Sequence, residues 1–271
     1  MNKIPSFEYH RFLDEAGDTT FYKKGRIPCI GDESVSYTFI LGMASFRKPL
    51  NEIRQEIRQL QTSIETSPYY RNVPSVKKRV EKGGYFFHAK DDLPEIRKEF
   101  FNYIHALDCR FQAVVARKNI GLFERKHNGN EAEFYADLLS HLLEDKFDKY
   151  PKLVLNIAER SNSTAIQNLE KALIKAETRF EKKFPNKDHR TKIAFGVHKF
   201  KDEPLLTVAD YLCWTVQRIF ERGETRFYDY MGDKISLVVD LYETTNDQDG
   251  GNYYTIKHPL TEKNKVSPHT P

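Results

Sequence analysis

Glu8-Tyr9-His10-Arg11-Phe12-Leu13-Asp14-Glu15-Ala16-Gly17-Asp18 begins as an alternation and ends as a cluster of acids. Polar and apolar residues alternate over 8–13, the period of a half-buried strand. The acidic, Gly-bearing run that follows reads as a turn closing that strand. Alternation sets Asp14 on the face of Phe12 and His10. An acid thus stands where a core strand ends. Alone it reads equally well as a turn or cap residue.

Working outward, 22–35 reads as a loop, with Gly25, Pro28 and Gly31. Residues 37–46 are apolar and β-branched, a second strand. Ile53, Ile57, Leu60 and Ile64 recur at helical spacing over 50–64. The stretch 67–84 is polar and long, a connection that is either mobile or functional. A short strand is expected at 85–87 and a helix at 93–107, capped by Asp91 and Asp92 with Pro94 in its first turn. Further strands are expected at 110–116, 152–158, 192–197 and 235–241, and helices at 131–147, 164–184 and 204–220, the last with Asp202 as N-cap. Strands first, then strands alternating with helices, imply an α/β fold: a mixed sheet flanked by helices on its faces. No linker of distinct composition divides it. The expectation is one domain over 1–243 and a loosely held polar tail over 244–271.

The chain has 271 residues, 39% of them hydrophobic and 13% aromatic, enough for a core and too apolar for disorder. No apolar run approaches the roughly 18 residues of a membrane span, and MNKIPSFEYHRF lacks a signal-peptide pattern. The expected setting is cytoplasmic, away from membranes. The three cysteines (Cys29, Cys109, Cys213) form no CxxC pair, which argues against a disulfide framework and a thiolate zinc site. Lys and Arg number 43 against 39 Asp and Glu, and the resulting +4 is too small to imply nucleic acid by itself.

Two more acids share the position of Asp14 at the end or heart of a core element. Glu159 closes the strand LVLNIA, and Asp210 lies inside the apolar helix LLTVADYLCW. A buried carboxylate is costly unless a cation, a metal or hydrogen bonds compensate. Structural readings exist for each, a salt bridge for Glu159 and a buried structural acid for Asp210. Together the three acids make sense as a site for Mg²⁺ or Mn²⁺, hard cations that take carboxylate oxygens and water. Such ions activate water against a phosphodiester. Glu15 and Asp18 are further metal candidates, with capping as the alternative. His88 in YFFHAKDD is a candidate proton shuttle, because imidazole titrates near neutrality. Lys118, Arg160, His198, Lys199 and Lys201 could meet phosphates, and the sets Lys77, Lys78, Arg79, Lys82 and Lys182, Lys183, Lys187, Arg190, Lys192 could follow a nucleic-acid backbone; ordinary solvated cations are the alternative. Aromatic residues interleave with these at Tyr69, Tyr70, Tyr85, Phe86 and Phe87.

The stretch FLDEAGD resembles the FLDESGDTG-type opening of the family catalogued as "domain of unknown function 3800". FHAKD, VLNIAERS and VADYLCW are similar to that family's later motifs, in the same order, so the likeness spans about residues 9–242. Ala16 stands where that family commonly has Ser, and Thr207-Val208 where a Leu-Gln type pair is frequent; neither change removes an acid. The resemblance implies a ribonuclease H-like fold, with one acid on the first strand, one at the end of the fourth and one on the last core helix. Asp14, Glu159 and Asp210 match these three places. It further implies a Mg²⁺- or Mn²⁺-dependent nuclease acting on DNA or RNA. Two alternatives stay open: a catalytically silent module of that fold binding nucleic acid or a protein, and a hydrolase of small phosphate compounds.

Overall fold

The computed structural model describes residues 8–159, 166–187, 190–242 and 251–266. The expected roles of Arg160 and of the helix start at 164 lie outside those residues. The chain opens with β1 (Glu8–Gly17), the small hairpin β2 (Tyr22–Lys23) and β3 (Ile27–Pro28), and β4 (Thr38–Phe46). Three helices follow, α1 (Leu50–Thr66), α2 (Pro74–Glu81) and α3 (Pro94–Ala106), then β5 (Cys109–Arg117). Next come α4 (Ile120–His127), α5 (Glu131–Leu143), β6 (Lys152–Ala158), α6 (Ile166–Lys183) and β7 (Lys192–His198). The chain continues with α7 (Leu206–Arg222), α8 (Arg226–Met231), β8 (Ile235–Asp240), β9 (Tyr253–Tyr254) and a 3-10 turn at Glu262–Asn264.

The fold is α/β, a mixed sheet flanked by helices. Seven strands run in the order β7-β6-β1-β4-β5-β8-β9. β4 is antiparallel to both β1 and β5, while β6 runs parallel to β1 and β7 parallel to β6. The core order β5-β4-β1-β6-β7 makes β1 the first strand and β6 the fourth, consistent with a ribonuclease H-like α/β fold. Alternation along β1 divides the core in two. Phe12 and Ala16 pack with residues of α1, α3 and α7. Leu13 packs on the opposite face with α5 and α6.

α7 is buried on nearly every side, with Leu206 through Val216 all inside. An apolar helix of this kind lies between two layers rather than on a surface. One side faces the sheet; on another, Tyr211 meets Phe100 and Phe101 of α3 at ring distances of 4.7 and 5.0 Å. The approach to the sheet depends on Gly42 of β4, the cross-strand partner of Asp14. A Cβ there would come within 2.5 Å of Cys213 Sγ on α7 and would also collide with the Phe111 ring.

Several expectations are corrected. The first strand does not turn after Leu13 but runs to Gly17, so Asp14 and Glu15 are strand residues. Gly17 ends it with φ of +90°, a conformation that favours glycine. The 67–84 connection contains α2, and 85–87 is no strand. Asp202 does not cap α7; the helix starts at Leu206, and the buried Glu203 accepts from Leu205 N–H at 3.3 Å. The tail is not loose over 251–266: β9 pairs with β8, Leu260 and Val266 are buried, and Val266 N–H donates to Phe220 O at 2.8 Å. Among the described residues no helix is long and apolar enough to cross a membrane.

Gly42→Ala is expected to destabilise the protein by about 1–3 kcal/mol, the usual cost of overpacking a filled core. Urea denaturation measures it, and an unchanged midpoint would contradict the close packing of α7 on β4.

Candidate active site

Two elements each bring a carboxylate to the lining of one cavity. β1 supplies Asp14, 8% exposed, on the side facing α7; α7 supplies Asp210, 6% exposed. The two are tied by a neighbour: Cys213, one turn beyond Asp210, donates its thiol to the Asp14 carbonyl oxygen at 3.2 Å. Both acids line a cavity of about 560 Å³ at the carboxyl end of β1 and β6. Glu15, Asp18, His88 and Glu159 line it too, so all six candidate catalytic and metal residues reach the same space. Crevices at the carboxyl ends of parallel strands are the usual ligand positions in α/β sheets.

The six are not equivalent. Asp210 is buried, and burial pushes its carboxyl up to about 6, against the pull of His88 and of the Ala89 N–H. That N–H donates to Asp210 Oδ2 at 2.7 Å. Glu15 is buried at the cavity wall. Asp18 is committed to the loop after β1. Its Oδ1 accepts from Thr20 N–H at 2.9 Å and from the buried Lys118 ammonium at 2.8 Å; its Oδ2 accepts from Ser36 N–H at 2.7 Å and Ser36 Oγ at 2.8 Å. Lys118 therefore serves this loop rather than a phosphate. Glu159 follows β6 and sits at the rim, its side chain 52% exposed and 3.9 Å from the Lys199 ammonium.

His88 is half-buried, its Nδ1 3.5 Å from an Asp91 oxygen. The segment bearing it has no regular structure and is held by buried acids. The Asp92 side chain is fully buried and pairs with Arg79. It accepts from Tyr85 Oη at 2.6 Å, His88 N–H at 2.9 Å and Tyr211 Oη at 2.5 Å. Its expected role as cap of α3 is thus corrected: Leu93 holds the N-cap position, with no side-chain cap. Sequence reasoning missed this anchor because Arg79 and Tyr211 are remote in the chain. It also missed Trp214, Gln217 and Glu221, which line the cavity with Asp210. Their spacing of four, three and four residues marks one helix face, a signal present in the sequence. Glu221 closes the floor by accepting from Thr38 N–H at 2.8 Å and Thr38 Oγ at 2.6 Å.

Part of the expected basic track is otherwise engaged. Arg79 is nearly buried against Asp92, Lys183 pairs with Glu144 and Lys187 with Asp148. Tyr85 and Phe87 are core residues. Lys90 and Arg222 remain as exposed cations on the cavity lining.

Carboxylate oxygens, with no thiolate among them, suit a hard divalent cation. Among the described residues no group of three or more His, Cys, Asp or Glu side chains stands ready to hold an ion. Mg²⁺ does not require one, since it keeps several waters and is commonly held by one or two carboxylates plus substrate phosphates. Asp14 and Asp210 are the pair that fits this description; Glu159 stands farther out.

A carboxyl whose folded value is raised favours the folded state while protonated. For Asp210 that contribution is fully present below about pH 4 and is lost as pH rises through about 6. Asp210→Asn keeps an acceptor for Ala89 N–H without the charge. In metal-free buffer it is expected to be more stable than the wild type at pH 8, by on the order of 1–3 kcal/mol, and to gain nothing at pH 4. Thermal unfolding across that range measures it, and an equal offset at both pH values would contradict the desolvation argument.

No family model matches the chain, and no curated protein matches it with significance.

Proposed function

We propose that this protein is a Mg²⁺- or Mn²⁺-dependent nuclease that hydrolyses phosphodiester bonds of DNA or RNA, with Asp14 and Asp210 as the metal-holding pair and Glu159 as a rim ligand. The observation that carries the reading is the burial of two carboxylates, from β1 and α7, on one cavity. Burying acids from separate elements on one cavity costs stability, and a bound cation offsets that cost. The sheet order and the resemblance of FLDEAGD and VADYLCW point the same way, as analogy.

When bound, the cation would polarise a phosphoryl oxygen and lower the pKa of a water. The chain's own residues supply the rest. Asp14 and Asp210 fix its position from two rigid elements. Lys90 and Arg222 at the rim draw a phosphate backbone inward. His88 Nδ1 faces Asp91, which leaves Nε2 to exchange a proton with the attacking water or the leaving oxygen. Asp92 and Asp210 hold the 85–92 segment so that His88 stays at the wall.

The rival reading is a catalytically silent module. The Lys199–Glu159 contact favours it, as does the lack of a ready three-ligand group among the described residues. The two part in one experiment. Asp14→Asn and Asp210→Asn are expected to lower Mg²⁺- or Mn²⁺-dependent cleavage at least about a hundredfold while unfolding cooperatively, and calorimetric titration of the wild type with Mn²⁺ is expected to give heat that both variants lose. Cleavage that survives excess EDTA, or a wild type that binds no Mn²⁺, would overturn the proposal.

A further inference from the structure

Building on the reading of the cavity as a nuclease site, we propose that it takes one unstacked nucleotide and that Phe200 is the platform on which the base lies. Phe200 sits in the turn between β7 and α7, half-buried, and lines the cavity. Phe86 stands behind it, nearly parallel, with ring centroids 6.0 Å apart and an interplanar angle of 11°. The Arg79 guanidinium lies 5.4 Å from the Phe86 centroid, and Arg79 is itself held by buried Asp92. Phe200 is thus backed by an aromatic neighbour that is itself in contact with a fixed guanidinium. Among the described residues the ring neighbours of Phe200 are Phe86 and His88, the latter steeply inclined with centroids 6.2 Å apart. Phe200 lines the cavity and Phe86 is not among its lining residues, so Phe200 is the member of this aromatic pair that a bound base can meet.

The chemistry of the other walls orients the occupant. Asp14 and Asp210 are acids of the lining, and Lys90 and Arg222 are cations of it. A base on Phe200 would turn its phosphate toward the acid pair and its neighbouring phosphates toward the cations. A cavity of about 560 Å³ suits a single ligand of nucleotide size. A base within a duplex has both faces covered and reaches such a platform only when extruded. The target is therefore single-stranded or locally unpaired nucleic acid. Stacking tolerates any base, because each presents a π-face.

Trp214, the single tryptophan, lines the same cavity, so its emission reports occupancy. Short oligothymidylate, its duplex with oligoadenylate, and an abasic strand of equal length are titrated with Ca²⁺ in place of Mg²⁺, and again in EDTA. The wild type is expected to bind the single strand more tightly than the duplex or the abasic strand. Phe200→Leu, which keeps apolar bulk but no π-face, is expected to weaken strand binding by about tenfold or more, while Phe200→Tyr retains it. Binding of the abasic strand should be the same in all three proteins. Phe200→Leu binding the strand as the wild type does, an abasic strand binding as well as the intact one, or no strand binding in either buffer would overturn the platform. A wild type that binds the strand but cleaves nothing with Mg²⁺ or Mn²⁺ would instead overturn the nuclease reading and leave the platform standing.

Discussion

The contact between α7 and the centre of the sheet governs the rest of this structure. Gly42 has no side chain, so Cys213 can settle over β4 and reach the Asp14 carbonyl oxygen. A helix this close to the sheet and covered by α3 on another side must be apolar nearly all round, and α7 is. Asp210 is the exception on it. The packing that removes water from Leu206 and Val216 removes it from Asp210 as well, and an ionised carboxylate in that setting is out of place without a partner charge. The energetic tension at the site thus follows from a backbone approach several residues away.

The surrounding polar groups divide into two classes with different tasks. Asp18, Asp92 and Glu221 spend their oxygens on backbone and side-chain donors and act as anchors for irregular chain. They hold the loop after β1, the 85–92 segment and the start of β4 around one cavity. Among the described residues Asp210 takes the Ala89 N–H as its hydrogen-bond donor, while burial raises its proton affinity. Several acids of similar appearance in the sequence therefore differ by what donates to them.

Much of the architecture was legible from periodicity. Alternation in 8–13 and helical spacing at Ile53, Ile57, Leu60 and Ile64 mark elements whose burial pattern is local. The unusual position of Asp210 in an apolar helix was legible for the same reason. What escaped is what depends on distant partners. Asp92 precedes Pro94 as a capping acid would, yet Arg79 and Tyr211 draw it inward. Lys118 looked like a phosphate contact at a strand end, but Asp18 claims it across a hundred residues of chain. The polar composition after Thr244 suggested a loose tail; the few apolar residues Tyr254, Leu260 and Val266 are enough to dock 251–266 against α7 and β8. Ion pairs and docking contacts of this sort leave no periodic trace.

The central claim is that Asp14 and Asp210 share a hard cation. A crystal soaked in Mn²⁺ and measured for anomalous scattering tests it most directly. The account predicts a peak bridging the two carboxylates, with oxygen contacts near the roughly 2.0–2.2 Å of hard divalent ions. A cavity without such a peak, with a lysine or arginine drawn in to neutralise Asp210, would contradict it.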